Sequence, residues 1–153
     1  KAENKVKIIF VPTYLNGDDG IFDIKYYDLL PGLDLTAFVS YYEPWGYTPM
    51  ESAMFSIPTI TTDLSGFGRW VIGEEATKGI DNGVAVVHRT DSNYLDVVQQ
   101  IQNLLVEFSL KDDKEVKQMT KSALKVAQNA LWKNFIVHYK QAYHVALSKK
   151  NKI

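Results

Sequence analysis

Two carboxylates, Glu43 and Glu51, stand with seven residues between them on either side of a segment suited to binding an anion. Thr48 and Pro49 predict the start of a helix in this segment, because proline lacks the N–H that has no partner in a first helical turn. Thr48 and Glu51 also match a capping box, in which two residues satisfy each other's backbone N–H groups. A helix that begins after a strand and a tight loop presents free N–H groups and the positive end of its dipole, which favour phosphate.

Strands that alternate with helices must position this segment. Short apolar runs predict strands, and the first run is apolar enough for a strand buried on both faces of a parallel sheet. The predicted strands are residues 6–12, 35–41, 58–62 and 83–89. Helices are predicted over residues 24–32, 48–57, 68–78, 114–131 and 132–148, with a further long helix capped by Asp91 or Ser92. This pattern is typical of an α/β fold, a Rossmann-like parallel sheet with flanking helices and a closing block of C-terminal helices.

Ligands of an open parallel sheet bind outside the carboxyl ends of its strands. Three predicted loops lie at that edge, namely residues 12–20, 42–48 and 62–68. The middle loop contributes a carboxylate and backbone donors. The last loop contains Gly66 and Gly68, whose lack of a side chain would let a ligand approach the backbone closely. We therefore expect the binding site at this edge of the sheet.

The composition limits the classes of function that remain. The 153 residues carry a net charge of −1 and no cysteine, so disulfides and thiolate metal sites are excluded. A nearly neutral chain has no electrostatic footprint for nucleic acid or for an anionic membrane surface. No apolar run reaches membrane-spanning length, and we expect a cytoplasmic protein. Three histidines without metal-ligand spacing are interpreted as structural: His88, His138 and His144.

Residues 40–68, SYYEPWGYTPMESAMFSIPTITTDLSGFG, closely resemble the donor-site segment of glycogen synthases of the animal and fungal type. The resemblance rests on the Glu43/Glu51 pair, the PWGYTP loop and the SGFG sequence, and it extends more weakly to VKIIFVPTYL, GVAVVHR and WKNFIVHYKQAYHVAL. These enzymes form glycosyltransferase family 3, which comprises retaining transferases with two Rossmann-like domains, the GT-B architecture. The resemblance implies that residues 1–153 are a portion of the C-terminal, nucleotide-sugar donor-binding domain, with the N-terminal acceptor domain absent from this chain.

The resemblance also implies roles for individual residues. Glu43 would touch the donor glucose and stabilise positive charge at its anomeric carbon, which makes it the candidate catalytic residue. Glu51 would accept hydrogen bonds from the ribose, and Tyr26 would stack on the nucleotide base. The sugar and the diphosphate would be bound by Trp45, Gly46, Tyr47 and Thr48. No metal or cofactor is implied, because the helix N-terminus can hold the diphosphate.

Each of these residues also has a purely structural interpretation. Glu51 could serve only as the capping partner of Thr48, although one carboxylate has enough acceptor sites for both roles. Glu43 could be a plain surface residue of its loop, and Tyr26 could be an ordinary core or surface aromatic. Packing of the loop is an equally open role for two aromatic residues, Trp45 and Tyr47.

The chain departs from the family pattern in its basic residues. Glycogen synthases of this type place an arginine and a lysine against the donor phosphates from an earlier strand and loop, and nothing here matches them. The only arginines are Arg69 and Arg89. The arginine-rich helix that senses glucose 6-phosphate is matched by KDDKEVKQMTKSALKVAQNALW, which contains no arginine. We therefore expect no such regulation and a bacterial relative of the family.

The sequence predicts a glycogen (starch) synthase that transfers glucose from UDP-glucose, or ADP-glucose, to the non-reducing end of an α-1,4-glucan with retention. The chain alone is expected to be inactive, because the glucan acceptor would bind through the missing domain. The alternatives are a non-catalytic module of GT-B fold that binds glucan or a partner, and another retaining GT-B glycosyltransferase. No nucleic acid or membrane partner is expected, and apolar surface exposed in the chain could produce homo-oligomers.

Overall fold

The computed structural model describes residues 6–74 and 79–150. These residues form two compact units, which divide between Leu33 and Asp34. The second unit is built on a three-stranded parallel sheet in the order β1, β2, β3. The strands are β1 (Thr36–Phe38), β2 (Thr59–Thr62) and β3 (Val84–Val87). They coincide with three of the predicted apolar runs, and the parallel sheet confirms the predicted fold class.

Six helices lie within the described ranges, the first of them in the first unit: α1 (Tyr26–Leu29), α2 (Tyr47–Met54), α3 (Gly66–Gly73), α4 (Tyr94–Ser109), α5 (Asp113–Asn129) and α6 (Trp132–Lys150). Short 3-10 turns follow α1 and precede β3. Every predicted helix has a counterpart. The predicted end of the 68–78 helix extends onto residues 75–78, which lie outside the described residues. Among the described residues, no helix combines the length and the apolar character needed to cross a membrane.

Helices cover both faces of the sheet. Successive side chains of a strand point to opposite faces, and β3 shows this alternation. Val84 and Val86 pack in one core cluster with residues of α2, α3 and α5, whereas Ala85 and Val87 pack in a second cluster with Val97 of α4. The first of the closing helices, α5, packs against α2, and most of α6 is exposed.

The predicted strand over residues 6–12 is wrong. These residues have no strand pairing, and their apolar side chains are exposed, Ile8 to 89% and Phe10 to 81%. A strand buried on both faces needs a paired neighbour and covering helices. The described part of the first unit offers neither, since it contains only the one-turn helix α1, a 3-10 turn and an isolated bridge between Asn16 and Lys25.

The predicted start of α2 is also wrong in detail. The helix begins at Tyr47, its N-cap is Gly46 in a left-handed conformation (φ 99°), and no side chain caps it. Thr48 therefore lies inside the first turn, and Pro49 is the third helical residue instead of the first. The capping box predicted from Thr48 and Glu51 does not form, because glycine turns the chain into the helix two residues before the predicted first position.

Candidate functional site

Two loops meet at the carboxyl edge of the sheet, one after β1 and one after β2. Glu43 donates its N–H to the Leu64 carbonyl (3.3 Å) and accepts at its own carbonyl from Gly66 (3.1 Å). The Phe67 N–H donates to the Trp45 carbonyl (2.5 Å). We call this set of backbone bonds, between residues 43–45 and 64–67, the loop clamp. It confirms that the loops predicted at 42–48 and 62–68 lie together.

The glycines of the second loop are needed for this close packing. A side chain at Gly66 would overlap the carbonyl oxygen of Pro44, and one at Gly68 would overlap the carbonyl oxygen of Thr62. These contacts explain both glycines by packing of the protein's own backbone, and the expectation that they admit a ligand stays a prediction.

The N-terminus of α3 is fully satisfied by the protein. Ser65 is its N-cap, and the Ser65 hydroxyl accepts from the Gly68 N–H (2.9 Å) while donating to the Thr62 carbonyl (3.0 Å). The N–H groups of Gly66 and Phe67 are used in the loop clamp. An anion would find no free backbone donor at this helix end.

The N-terminus of α2 is different. Within the described residues, nothing accepts a hydrogen bond from the N–H groups of Gly46, Tyr47 and Thr48. Gly46 is buried, and buried backbone donors are normally paired. Three unpaired donors at the positive end of a helix dipole are suited to bind an anion such as a phosphate.

The predicted carboxylates flank this helix end. Glu43 is half-buried in the loop, and a side-chain atom added at Gly46 would contact the Glu43 side chain at 3.4 Å, which places the two residues side by side. Glu51 is half-buried in α2, while Tyr47 and Thr48 are exposed at its first turn. Among the described residues, no group of three histidine or carboxylate side chains is arranged to hold a metal ion.

Trp45 occupies an aromatic cluster. Its ring lies 6.0 Å from Phe67, 6.2 Å from Trp70 and 5.4 Å from Phe135, measured between centroids. The ring therefore packs the loop against α3 and α6. Beside this cluster lies an apolar groove of about 500 Å³, lined by Trp45, Tyr47, Met50, Trp132, Phe135 and Tyr139 among others.

Tyr26 lies in the first unit, at the start of α1. It is half-buried, and its ring meets the ring of Tyr27 edge-on with centroids 5.2 Å apart. Its role in stacking on a nucleotide base stays a prediction.

Sequence reasoning missed one group of polar residues at the same sheet edge. Arg89, only 8% exposed, donates from Nη1 to the Val39 carbonyl (2.7 Å) and lies over the ring of Tyr41, with Cζ 3.4 Å from the ring centroid. Asp63 accepts from the Arg89 N–H (2.9 Å), and its other oxygen lies 2.5 Å from His88 Nδ1. The available signal was an arginine directly after a buried apolar strand, in GVAVVHR.

The chain is similar to known proteins over nearly its whole length. A family model described as "Glycogen synthase" matches residues 1–152. Glycogen [starch] synthase of Neurospora crassa is 33% identical over 146 residues, which cover 95% of this chain and 20% of that protein. Isoform 2 of the Saccharomyces cerevisiae enzyme is 32% identical over 147 residues, and the liver enzyme of Mus musculus is 30% identical over 146 residues; each alignment covers 95% of this chain and 21% of the relative. The chain thus spans about a fifth of the length of the curated relatives it matches.

Proposed function

Because the chain belongs to the glycogen synthase family, we propose that its parent protein transfers glucose from a nucleotide sugar to the non-reducing end of an α-1,4-glucan, with retention of configuration. UDP-glucose is the proposed donor, and ADP-glucose is the alternative. Residues 1–153 would form part of the C-terminal, donor-binding domain of a GT-B enzyme, and the glucan acceptor would bind to the other domain. The chain alone would then be inactive.

One observation carries the donor-site proposal. The N–H groups of Gly46, Tyr47 and Thr48 have no acceptor among the described residues, although they stand at the start of a helix beside two carboxylates. A diphosphate supplies the acceptor oxygens that these donors lack, and its charge is favoured by the helix dipole. No metal is needed to hold the diphosphate in this arrangement.

Glu43 is the proposed catalytic residue. As the bond between the anomeric carbon and the diphosphate breaks, positive charge develops on the sugar ring, and a fixed carboxylate beside it stabilises that charge. The loop clamp supports this role, because the N–H and the C=O of Glu43 are both hydrogen-bonded and thereby fix the backbone that carries the carboxylate. A fixed charge need not reorganise during the reaction. We propose no covalent nucleophile.

The remaining residues are assigned to the ribose, the base, the sugar and the diphosphate of the donor. Glu51, half-buried in α2, would accept from the ribose hydroxyls, and Tyr26 would stack on the base. The sugar would meet the backbone of Trp45 and Gly46. Tyr47 and Thr48 would hold the diphosphate at the exposed first turn of α2.

The basic residues of α5 support a proposal about the source and the regulation of the parent. The face of α5 that would carry regulatory arginines has exposed lysines instead, at Lys114, Lys117, Lys121 and Lys125. We propose a bacterial, cytoplasmic enzyme that is not regulated by glucose 6-phosphate.

Calorimetric titration of the full-length parent with UDP-glucose and with ADP-glucose tests the donor site. We expect one donor to bind, and we expect Glu51→Ala to weaken that binding roughly tenfold or more, because a hydrogen bond to a charged group is worth about 1.5–3 kcal/mol. Glu74→Ala is the matched control, since Glu74 is exposed at the opposite end of α3. A folded wild-type protein that binds neither donor would overturn the proposal and favour a non-catalytic module.

A further inference from the structure

The segment that leads from β1 to Glu43 is held by the side chains of Thr62, the last residue of β2, and Arg89, which follows β3. β1 ends at Phe38, and the loop clamp begins at Glu43, so residues 39–42 lie between two fixed points. The Thr62 hydroxyl donates to the Ser40 carbonyl (2.8 Å), and the Arg89 guanidinium donates to the Val39 carbonyl (2.7 Å). Together they fix the start of the segment.

A buried arginine such as Arg89 is an unusual residue for holding a backbone segment in place. Its side chain is buried, and within the described residues its guanidinium has no carboxylate partner; its contacts are the Val39 carbonyl and the face of the Tyr41 ring. Burying a charge without an opposite charge costs stability, and an apolar side chain could fill the same space more cheaply. The cation is therefore better explained by what it holds in place than by stability.

The backbone under Arg89 is fixed as well. The Asp63 N–H donates to the Val87 carbonyl (3.1 Å), and the Asp63 carboxylate accepts from the Arg89 N–H (2.9 Å). The other oxygen of this carboxylate, Asp63 Oδ2, lies within hydrogen-bond distance of His88 Nδ1 (2.5 Å). The guanidinium thus projects from a rigid base toward residues 39–41.

We propose that Arg89 is a positioning residue for Glu43, because its guanidinium fixes residues 39–41 through the Val39 carbonyl and the Tyr41 ring. The inference rests on the proposed function, in which Glu43 faces the anomeric carbon. The loop clamp fixes Glu43 to residues 64–66, whereas Arg89 fixes the segment that enters the clamp from β1. Loss of Arg89 would therefore let Glu43 and its clamped loop shift relative to β1, away from the productive position. Displacement of a reacting group by about 1 Å can reduce a rate about a hundredfold.

The test compares the two arginines of the full-length parent, with transfer measured from UDP-glucose to glycogen. Arg89→Met should lower kcat roughly 10- to 100-fold, whereas the dissociation constant of UDP, which lacks the sugar, should not change. Arg89→Lys should keep part of the rate, because lysine retains a donor but not the planar group that stacks on Tyr41. Arg69→Met is the matched control and should keep the wild-type kcat, since Arg69 is exposed and donates to the Asp63 carbonyl instead of to residues 39–41.

A double-mutant cycle separates positioning from general stability. If Arg89 acts through Glu43, Arg89→Met should have little further effect on kcat in the Glu43→Gln background. Equal loss of kcat in both backgrounds, or a parallel loss of UDP affinity, would overturn the inference while leaving the proposed function standing. A folded wild-type protein that binds neither UDP-glucose nor ADP-glucose would overturn both. If the methionine variant does not fold, the same cycle with Arg89→Lys decides the question.

Discussion

The N-termini of α2 and α3 lie at the same edge of the sheet, yet the protein uses them in opposite ways. At α3, the Ser65 hydroxyl and the carbonyls of Glu43 and Trp45 accept the first N–H groups, so the helix end serves as a clamp within the protein. At α2, the first N–H groups have no acceptor among the described residues. The satisfied helix end fixes the two loops together, and the unsatisfied one is the proposed diphosphate site.

The comparison shows why a helix N-terminus after a parallel strand is not by itself a binding site. Both helices follow short loops, and both have glycine near their start. The difference lies in hydrogen bonds between residues far apart in the chain, such as Gly66 with Glu43. A substitution at α3 should therefore change stability, whereas a substitution at α2 should change affinity.

The largest expected effect is at the clamp. Gly66→Ala would drive a methyl group into the Pro44 carbonyl, which is backbone and cannot rotate away. We expect the free energy of unfolding to fall by about 3 kcal/mol, the upper part of the usual range for overpacking. Urea unfolding of the parent, followed by fluorescence of the nearby Trp45 and Trp70, measures it.

Gly73→Ala is the control for this substitution. Gly73 is the last residue of the same helix, and a methyl group there meets nothing within 4 Å. Alanine should leave stability unchanged or raise it by up to about 1 kcal/mol, because glycine loses more backbone freedom on folding. Equal destabilisation by the two substitutions would show that the clamp has no special importance.

The next effect concerns the ligand at the open helix end. UDP at a hundred times its dissociation constant should stabilise the parent by about 2.7 kcal/mol. If the diphosphate accepts from α2, hydrogen exchange should slow at the amides of Gly46, Tyr47 and Thr48. The amides of Gly66 and Phe67 serve as internal controls and should change much less, since they are already bonded. Slower exchange at Gly66 and Phe67 alone would show that UDP binds at α3 instead of at α2.

Local signals in the sequence predicted the elements but not their pairing. Pro58 and the SGFG glycines separate the elements as expected, because proline and glycine act through their own backbone geometry. The bounds differ, since α2 ends at Met54, three residues before its predicted end, and α3 begins at Gly66, two residues before its predicted start. The Thr48–Glu51 pattern failed, since Gly46 already starts the helix. The same pattern does form a capping box at Asp112 and Glu115 of α5, where no glycine precedes it.

The remaining differences arise from tertiary contacts. The apolar run at residues 6–12 has the composition of a strand, but a strand also needs a partner, which composition does not reveal. The same holds for the candidate site. The glycines of the second loop were visible in the sequence, whereas the carbonyls that fill the space beside them come from residues elsewhere in the chain. Arg89 was visible as one of two arginines, but its contact with Val39 spans 50 residues.

The smallest expected effect compares one hydroxyl at each helix end. Ser65→Ala removes the cap of Gly68 and the contact with the Thr61 hydroxyl (3.2 Å), so stability should fall by about 1–2 kcal/mol. Thr48→Ala removes an exposed hydroxyl with no hydrogen bond among the described residues, and stability should change by less than about 0.5 kcal/mol. UDP affinity should respond in the opposite order, with a loss of roughly tenfold for Thr48→Ala only, because its hydroxyl would bond a charged phosphate. Thermal unfolding and calorimetry of both variants decide this, and a Thr48→Ala protein of reduced stability and unchanged affinity would mean that α2 uses its first turn as α3 does.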